Sequence, residues 1–368
     1  MKKKNLCKTL LKTMCIVLGI LILALLAYIV YLYASYYRIE DNQELVVEAP
    51  VDDTTTGAAA VLATDTEYSA VTYNIGFGAY LPDYSFFMDG GTSSWAESPE
   101  TVQYAINGAG ELVKSLDPDF ALIQEIDLDA TRSYHTDEYE MLRNILPEYT
   151  TVFAQNYDSA FLFYPFTQPH GSSRAGLGLF SKYPVSSALR RSFPISTSFS
   201  KFFDLDRCYS VSRIPVDNGK ELVIFNLHMS AYGNSDEIRK GQIEMLCNDM
   251  AKEYEAGNYV LCGGDFNHDL KASEEDAENC ESWAFPFPRT ELPEHFAFCL
   301  DLLSSEEKEA LWNSARNADM EYVPGVTYTV TLDGFIISDN IECLSYENIN
   351  TGYSYSDHDP VKVEFVLK

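Results

Sequence analysis

The apolar residues of this chain fall into one unbroken block followed by short periodic runs. Met14 to Ala34 is 21 residues without a charge, close to the ~20 that carry a helix across a bilayer core. Lys2, Lys3, Lys4, Lys8 and Lys12 precede it. Residues 1–13 therefore read as a cytoplasmic basic tail and 14–34 as a transmembrane helix, with the rest of the chain facing outward. A cleaved signal peptide would have an apolar stretch of about 7–15 residues and a small-residue cleavage site, for which Ala34-Ser35 is a weak match. Residues 35–68 are acidic and small, as in Asp52-Asp53-Thr54-Thr55-Thr56-Gly57, with no apolar period, and predict a stalk. From residue 69 to 368 strand and helix periods alternate. Strands are expected at 70–75, 120–124, 176–180, 210–214, 222–227, 259–262 and 361–366, and helices at 100–116 (entered through Pro99), 137–146 and 236–255. A further helical segment is expected at Ser305–Ala318. The stretches 80–98, 156–175, 192–206 and 271–324 are rich in Phe, Tyr, Ser and Pro and predict long recognition loops or surface insertions.

The 368 residues are 46% apolar, enough for one large core or two smaller ones. Without residues 1–37 the chain keeps 21 basic and 55 acidic residues, a formal charge of −34. A nucleic-acid binder normally carries a basic footprint, so DNA or RNA as partner is disfavoured, although solubility alone explains much of the charge. The cysteines outside the anchor region show no C-x-x-C spacing, which argues against a zinc site. Cys280 and Cys299 flank a Pro/aromatic insertion and are a candidate disulfide.

Polar residues recur at the predicted strand ends. Asn74 closes Val71-Thr72-Tyr73, Glu125 follows Ala121 to Gln124, and Asn226 and His228 end Val223-Ile224-Phe225. Asp265 and Asn267 follow Val260-Leu261-Cys262, Asp333 opens Phe335-Ile336-Ile337, and Asp357 and His358 precede the last strand. Singly, each is an ordinary turn or cap residue. As an ordered set of carboxylates, carboxamides and imidazoles they point to metal-assisted hydrolysis.

The motifs Thr72-Tyr73-Asn74-Ile75, Ile123-Gln124-Glu125, Asn226-Leu227-His228, Gly264-Asp265-Phe266-Asn267, Leu332-Asp333-Gly334-Phe335-Ile336 and Ser356-Asp357-His358-Asp359-Pro360 resemble, in this order, those of the endonuclease/exonuclease/phosphatase superfamily with its deoxyribonuclease-I-like fold. The chain looks like a membrane-anchored member of bacterial type. The resemblance implies a four-layer α/β sandwich, two mixed and largely antiparallel sheets face to face with helices outside, over residues 69–368 and preceded by the transmembrane helix. It implies a catalytic centre of His358, Asp265, His228, Asn267 and Asp333, and a Mg²⁺ (or Mn²⁺) site from Glu125, Asn74 and Asp357. Asp265 would orient or deprotonate water with Asn267 beside it, His228 would donate to a phosphoryl oxygen, and His358 would be the acid/base fixed by Asp333. Some relatives place a second carboxylate where this chain has Gly76.

The expected activity is that of a divalent-metal-dependent phosphoester hydrolase outside the membrane, acting on a small or lipid phosphoester; this scaffold also serves nucleases. A surface nuclease would need a basic groove from Arg132, Arg174, Arg190, Arg191 and Arg213, and an inactive binding module would have lost part of the set. Arg174, in a glycine-flanked turn, is a candidate phosphate clamp. Phe86-Phe87-Met88 and Trp283 to Phe287 would grip a lipid or pack under their own loops. Nothing in the pattern signals an oligomeric state. There is no G-x-S-x-G, H-E-x-x-H or G-x-x-x-x-G-K-[ST] motif.

Overall fold

A computed structural model describes residues 2–52, 61–231, 236–273 and 284–368. The chain forms two compact units, Met1–Arg38 and Ile39–Lys368. The first is one helix, α1 (Lys2–Ser35). Its Leu6–Ser35 portion has a mean hydropathy of 2.9 and most of its large apolar side chains are exposed. A helix apolar all round and of this length is long enough to cross a membrane.

The second unit holds strands β1 (Gln43–Glu44), β2 (Val47–Glu48), β3 (Glu67–Asn74), β4 (Phe120–Ala130), β5 (Thr150–Asp158), β6 (Ser173–Ser181), β7 (Ser187–Ser192) and β8 (Cys208–Pro215). These are followed by β9 (Glu221–His228), β10 (Tyr259–Asp265), β11 (Phe296–Phe298), β12 (Ala315–Arg316), β13 (Thr329–Val330), β14 (Asp333–Ser338), β15 (Ile341–Asn348) and β16 (Val361–Leu367). Its helices are α2 (Pro99–Leu116), α3 (Glu138–Ile145), α4 (Asp236–Glu255) and α5 (Ser305–Ala310). Among the described residues two seven-stranded sheets form, ordered β15-β16-β3-β4-β6-β5-β2 and β1-β7-β8-β9-β10-β14-β11. The pairs β3–β4 and β9–β10 are parallel, and antiparallel pairs make up the rest.

Strand β4 explains the layering. Its side chains alternate between faces. Phe120 and Leu122 point into the cluster shared with β9 and β10, which continues to Ile243, Leu246 and Met250 of α4. Ala121 and Ile123 point the other way, against Val102, Ile106 and Ala109 of α2 and Leu142 of α3. The result is helix, sheet, sheet, helix: the expected four-layer α/β sandwich. The outer helix α2 begins as its sequence predicts, with Ser98 accepting from the Thr101 amide, Pro99 in the first turn and Asp117 closing the C-terminus at φ 47°.

The pattern misses several elements, among them β5, β7 and β15, for which no strand was expected. Residues 43–48, expected in the stalk, add an edge strand to each sheet, β1 on β7 and β2 on β5. Two-residue strands have no period to detect, and their pairing partners lie more than a hundred residues away. Leu62, in the same stretch, is fully buried. The helix expected at 305–318 ends at Ala310, because Ala315 bridges to His358 and pairs with Val330. Cys280 and Trp283, named in the sequence reading, lie outside the described residues; Cys299 is buried beside Cys343.

Candidate active site

Strand register assembles the site. In β9 and β10 His228 is the partner of Asp265, and across β10 and β14 Asp265 is the partner of Asp333. Three ionisable groups thus form a row at the end of the second sheet. Close approach of the two parallel strands depends on Gly264, where a Cβ would come within 2.1 Å of the Leu227 carbonyl oxygen at a φ of +146°. The first sheet supplies Asn74 at the end of β3 and Glu125 from β4. Glu125 does not follow a strand end, as the pattern suggested. It sits at +55° in φ where the β4–β6 register breaks between Ile123 and Ile126. A bulge of this kind re-aims a side chain that a regular strand would turn into a sheet face.

Asp357 and His358 arrive just before β16, held by the Ser356 hydroxyl, which donates to the Asn74 carbonyl at 2.8 Å. His358 Nδ1 is 2.7 Å from Asp333 Oδ2, so the imidazole donates to a buried carboxylate. Ser314 donates to the same oxygen at 2.7 Å and fixes the carboxylate in turn. Burial works against a charge on His358, but the hydrogen bond and charge of Asp333, then Asp265 and Asp357, raise its pKa well above the usual value. His358 Nε2 lies 3.9 Å from Asp265 Oδ2. Among the described residues Asp265, Asp333 and His358 form a group whose ligand atoms lie within 4.8 Å of one another. Asp333 Oδ2 in that group is already committed to His358 and Ser314.

Asp265 accepts from the Asn267 amide at 2.8 Å and from Asn74 Nδ2 at 3.0 Å, yet burial and then Asp333 lift its pKa. Asn267, at φ +50°, donates its side chain to the Met229 carbonyl at 2.9 Å. His228 Nε2 lies 3.5 Å from Asp265 and 3.8 Å from Glu125, and Nδ1 has no partner. Burial, then the charges of Arg207, His358 and Arg132, hold His228 neutral. A neutral imidazole keeps one N–H to donate.

Of the three expected metal ligands, Glu125 and Asp357 offer carboxylates and Asn74 does not offer its oxygen. Asn74 Nδ2 donates to Glu125 at 3.2 Å as well as to Asp265, while Oδ1 accepts from the Gly76 amide. In this arrangement Asn74 bridges Glu125 and Asp265. Gly76 itself has φ +56°, and a Cβ there would meet Tyr80 at 2.7 Å and Asp357 Oδ1 at 3.2 Å. The space for a side chain at 76 is taken by Tyr80, Ser356 and Asp357. Burial, then Glu125, raise the Asp357 carboxyl against His358 and Arg316. Asp89, at the same mouth, is pushed up to about 7 by burial and by Asp357, Glu125 and Asp319. Crowded carboxylates with hard oxygen donors suit a divalent cation of the Mg²⁺ or Mn²⁺ kind.

These groups open into a cleft of about 560 Å³. Arg132, Arg207 and Arg316 line it. Arg174 does not; it pairs at the surface with Asp129. Arg213 pairs with Glu221 and Glu253, Arg191 with Asp41 and Asp249, and Arg190 is buried against backbone carbonyls. Arg132 binds Asp127 through Nε and Nη2 and lies 3.7 Å over the Phe77 ring. Arg207 is different. Its side chain is 7% exposed, Asp204 is 3.9 Å away, and Nε and Nη1 make no hydrogen bond. No strand end or motif marks Arg207, Ser314 or Asp89 in the sequence.

The sequence family described as the endonuclease/exonuclease/phosphatase family matches residues 71–302. Comparison with curated protein sequences gives no match. Similar solved structures include an endonuclease/exonuclease/phosphatase from Beutenbergia cavernae, 15% identical with a TM-score of 0.54 over 82% of this chain and 72% of that one. Another is D. rerio TDP2 complexed with single-strand DNA product, 14% identical with a TM-score of 0.54 over 82% and 99%. A third is ANGEL2, a 2',3'-cyclic phosphatase, in complex with adenosine-2',3'-vanadate, 12% identical with a TM-score of 0.56 over 82% and 96%. By the family match and the fold, this chain belongs to the endonuclease/exonuclease/phosphatase family of phosphoester hydrolases.

Proposed function

We propose that the chain is a divalent-metal-dependent phosphoester hydrolase, held outside the membrane by α1 and acting on a small or lipid phosphoester. The observation that carries this reading is the Ser314–Asp333–His358 chain of hydrogen bonds ending beside Asp265 in a cleft that also holds Glu125 and Asp357. Glu125 and Asp357 would hold the cation, with Asn74 keeping Glu125 in position. When bound, Mg²⁺ or Mn²⁺ would neutralise charge on the phosphoryl group.

The protein groups divide the remaining work. Asp265, buried and raised in pKa, accepts the proton of the attacking water, with Asn267 on the adjoining turn to orient it. His358, kept charged by Asp333, donates toward the phosphoryl group as negative charge builds. His228 donates its single N–H on the other side of Asp265. Arg207 on the cleft wall, whose Nε and Nη1 make no hydrogen bond within the protein, would offer an N–H donor and a positive charge to a phosphate oxygen.

The cleft wall argues against a long polyanion. Six carboxylic residues and three arginines line it, and Arg132 is already paired. The nuclease reading needs the opposite balance, and the binding-module reading needs a missing group where all are present. A lipid substrate is supported by the rim. Met88, which lines the cleft, is 52% exposed, and Phe163, Tyr164 and Phe166 are 50%, 62% and 85% exposed. Tyr164 packs on Phe87, which in turn packs on the cleft residue His170. Phe86 is buried under its own loop.

The test is hydrolysis by a chain beginning at Ile39, which keeps β1 and β2. The panel is sphingomyelin, phosphoinositides, double-stranded DNA and bis-p-nitrophenyl phosphate, each with Mg²⁺, Mn²⁺ or EDTA. The expected result is EDTA-sensitive turnover that His358→Ala lowers about 10²–10⁴-fold, with DNA the poorest substrate. DNA as the best substrate would overturn the lipid reading, and no turnover by folded protein would favour a binding module.

A further inference from the structure

We propose that Cys299 and Cys343 form a disulfide that staples the two sheets together at their edges. Cys299 begins the turn after β11, which is the edge strand of the second sheet. Cys343 lies on β15, the edge strand of the first. The two thiols are close enough to perturb one another, and Cys343 packs on the core cluster that contains Cys299. A bulge between Cys343 and Ser345 turns this part of β15, with the Cys343 Sγ 3.4 Å from the Ser345 carbonyl. The two cysteines are 44 positions apart in sequence, so neither could be paired with the other from spacing.

The bond would close a loop that carries Ser314, Arg316 and Asp333. Constraining a loop of this length in the unfolded chain is what makes a cross-link stabilising.

The chemistry starts from the more accessible thiol. Cys343 is half-buried and its interaction with Cys299 lowers its pKa, whereas Cys299 is raised by Cys343 and then by burial. The Cys343 thiolate attacks one sulfur of a donor disulfide and displaces one donor thiolate. Cys299 then gives up its proton, and its thiolate attacks the Cys343 sulfur of the mixed disulfide and displaces the second. Two protein thiols lose two electrons and two protons, and one donor disulfide becomes two thiols. The donor class is a low-molecular-weight disulfide or a dithiol oxidase, available outside the cytoplasm. The cross-link persists in the cell only if the domain faces outward, but its formation does not depend on the catalytic reading.

The experiment uses the full chain in detergent micelles, treated with glutathione disulfide or with a phosphine reductant, then alkylated, digested and mapped by mass spectrometry. The expected product is a peptide pair joined through Cys299 and Cys343, with a melting temperature roughly 5 °C above the reduced protein. Cys343→Ser should show neither the linked pair nor the shift, while keeping the same phosphoester turnover. Full alkylation of both cysteines after oxidation would overturn the proposal. So would a Cys299 linkage to Cys280 in place of Cys343. Because the readout is a covalent bond, its failure is distinguishable from failure to find a substrate.

Discussion

At the scale of single residues the site separates into groups that announce themselves and groups that do not. Asp265, Asp333, His228 and His358 were legible because each follows or opens an apolar run, and strand register then brings their side chains together. Arg207 gives no such signal. It stands one residue before β8, 21 positions from His228 in sequence, and its importance comes from what surrounds it after folding. A buried guanidinium with two unpartnered nitrogens is costly unless a ligand satisfies it, and the cleft is where that ligand would sit. Arg207→Gln is therefore expected to raise KM for an anionic phosphoester roughly 10-fold. The cost in melting temperature should be small, because the ion pair lost with Asp204 is long, 3.9 Å. A circular-dichroism melt beside steady-state kinetics checks both. A marked fall in stability with unaltered KM would mean that Arg207 is structural.

At the scale of elements, the periodic runs placed α2 to α4 and the central strands, whose faces are both covered and which read as continuous apolar segments, but not β5, β7 or β15, which lie toward the sheet edges. What the pattern lacked was the pairing of elements without a period, as in β1, β2 and the end of α5. The local backbone that aims the cleft's carboxylates was hidden as well. Glu125 works from a bulge and Asp265 from a strand pinched against its neighbour, and neither is a property of the residue type. The pinch gives a direct prediction. In Gly264→Ala the new methyl would meet the Leu227 carbonyl oxygen at 2.1 Å, and backbone cannot swing aside as a flexible side chain would. β9 and β10 would have to part at the point where His228 and Asp265 face each other. The cost is expected to be about 2–4 kcal/mol, read as a lower urea midpoint, together with a loss of turnover larger than the loss of folded protein explains. If activity per folded molecule is unchanged, the strand spacing at Gly264 is not what sets the site.

At the scale of the whole molecule, buried histidines outside the reacting groups tie stability to pH. His268 is 3% exposed, its Nδ1–H donates to the Phe266 carbonyl at 2.6 Å, and its ring packs edge-on against Phe287. Burial, helped by the charges of Arg239 and Arg289, lowers its pKa to about 4, and burial lowers that of His170 to about 3. Both unfolded imidazoles titrate near pH ~6.5. Between those values the unfolded chain binds more protons than the folded one, so each histidine withdraws stability as the pH falls, up to about 1.4 kcal/mol per pH unit. Asp89 and Asp265, each raised to about 7, contribute the opposite slope over an overlapping range, so the wild-type profile combines these with other shifted groups. The contribution of His268 is isolated by comparing wild type with His268→Asn, whose amide can still donate to Phe266. The two proteins should differ least in urea midpoint above pH 7. The wild type should then lose stability faster than the variant from about pH 6 down to about pH 4. Parallel profiles over that range would mean that His268 titrates alike in the folded and unfolded chains, and that neither its burial nor the charges of Arg239 and Arg289 hold it neutral.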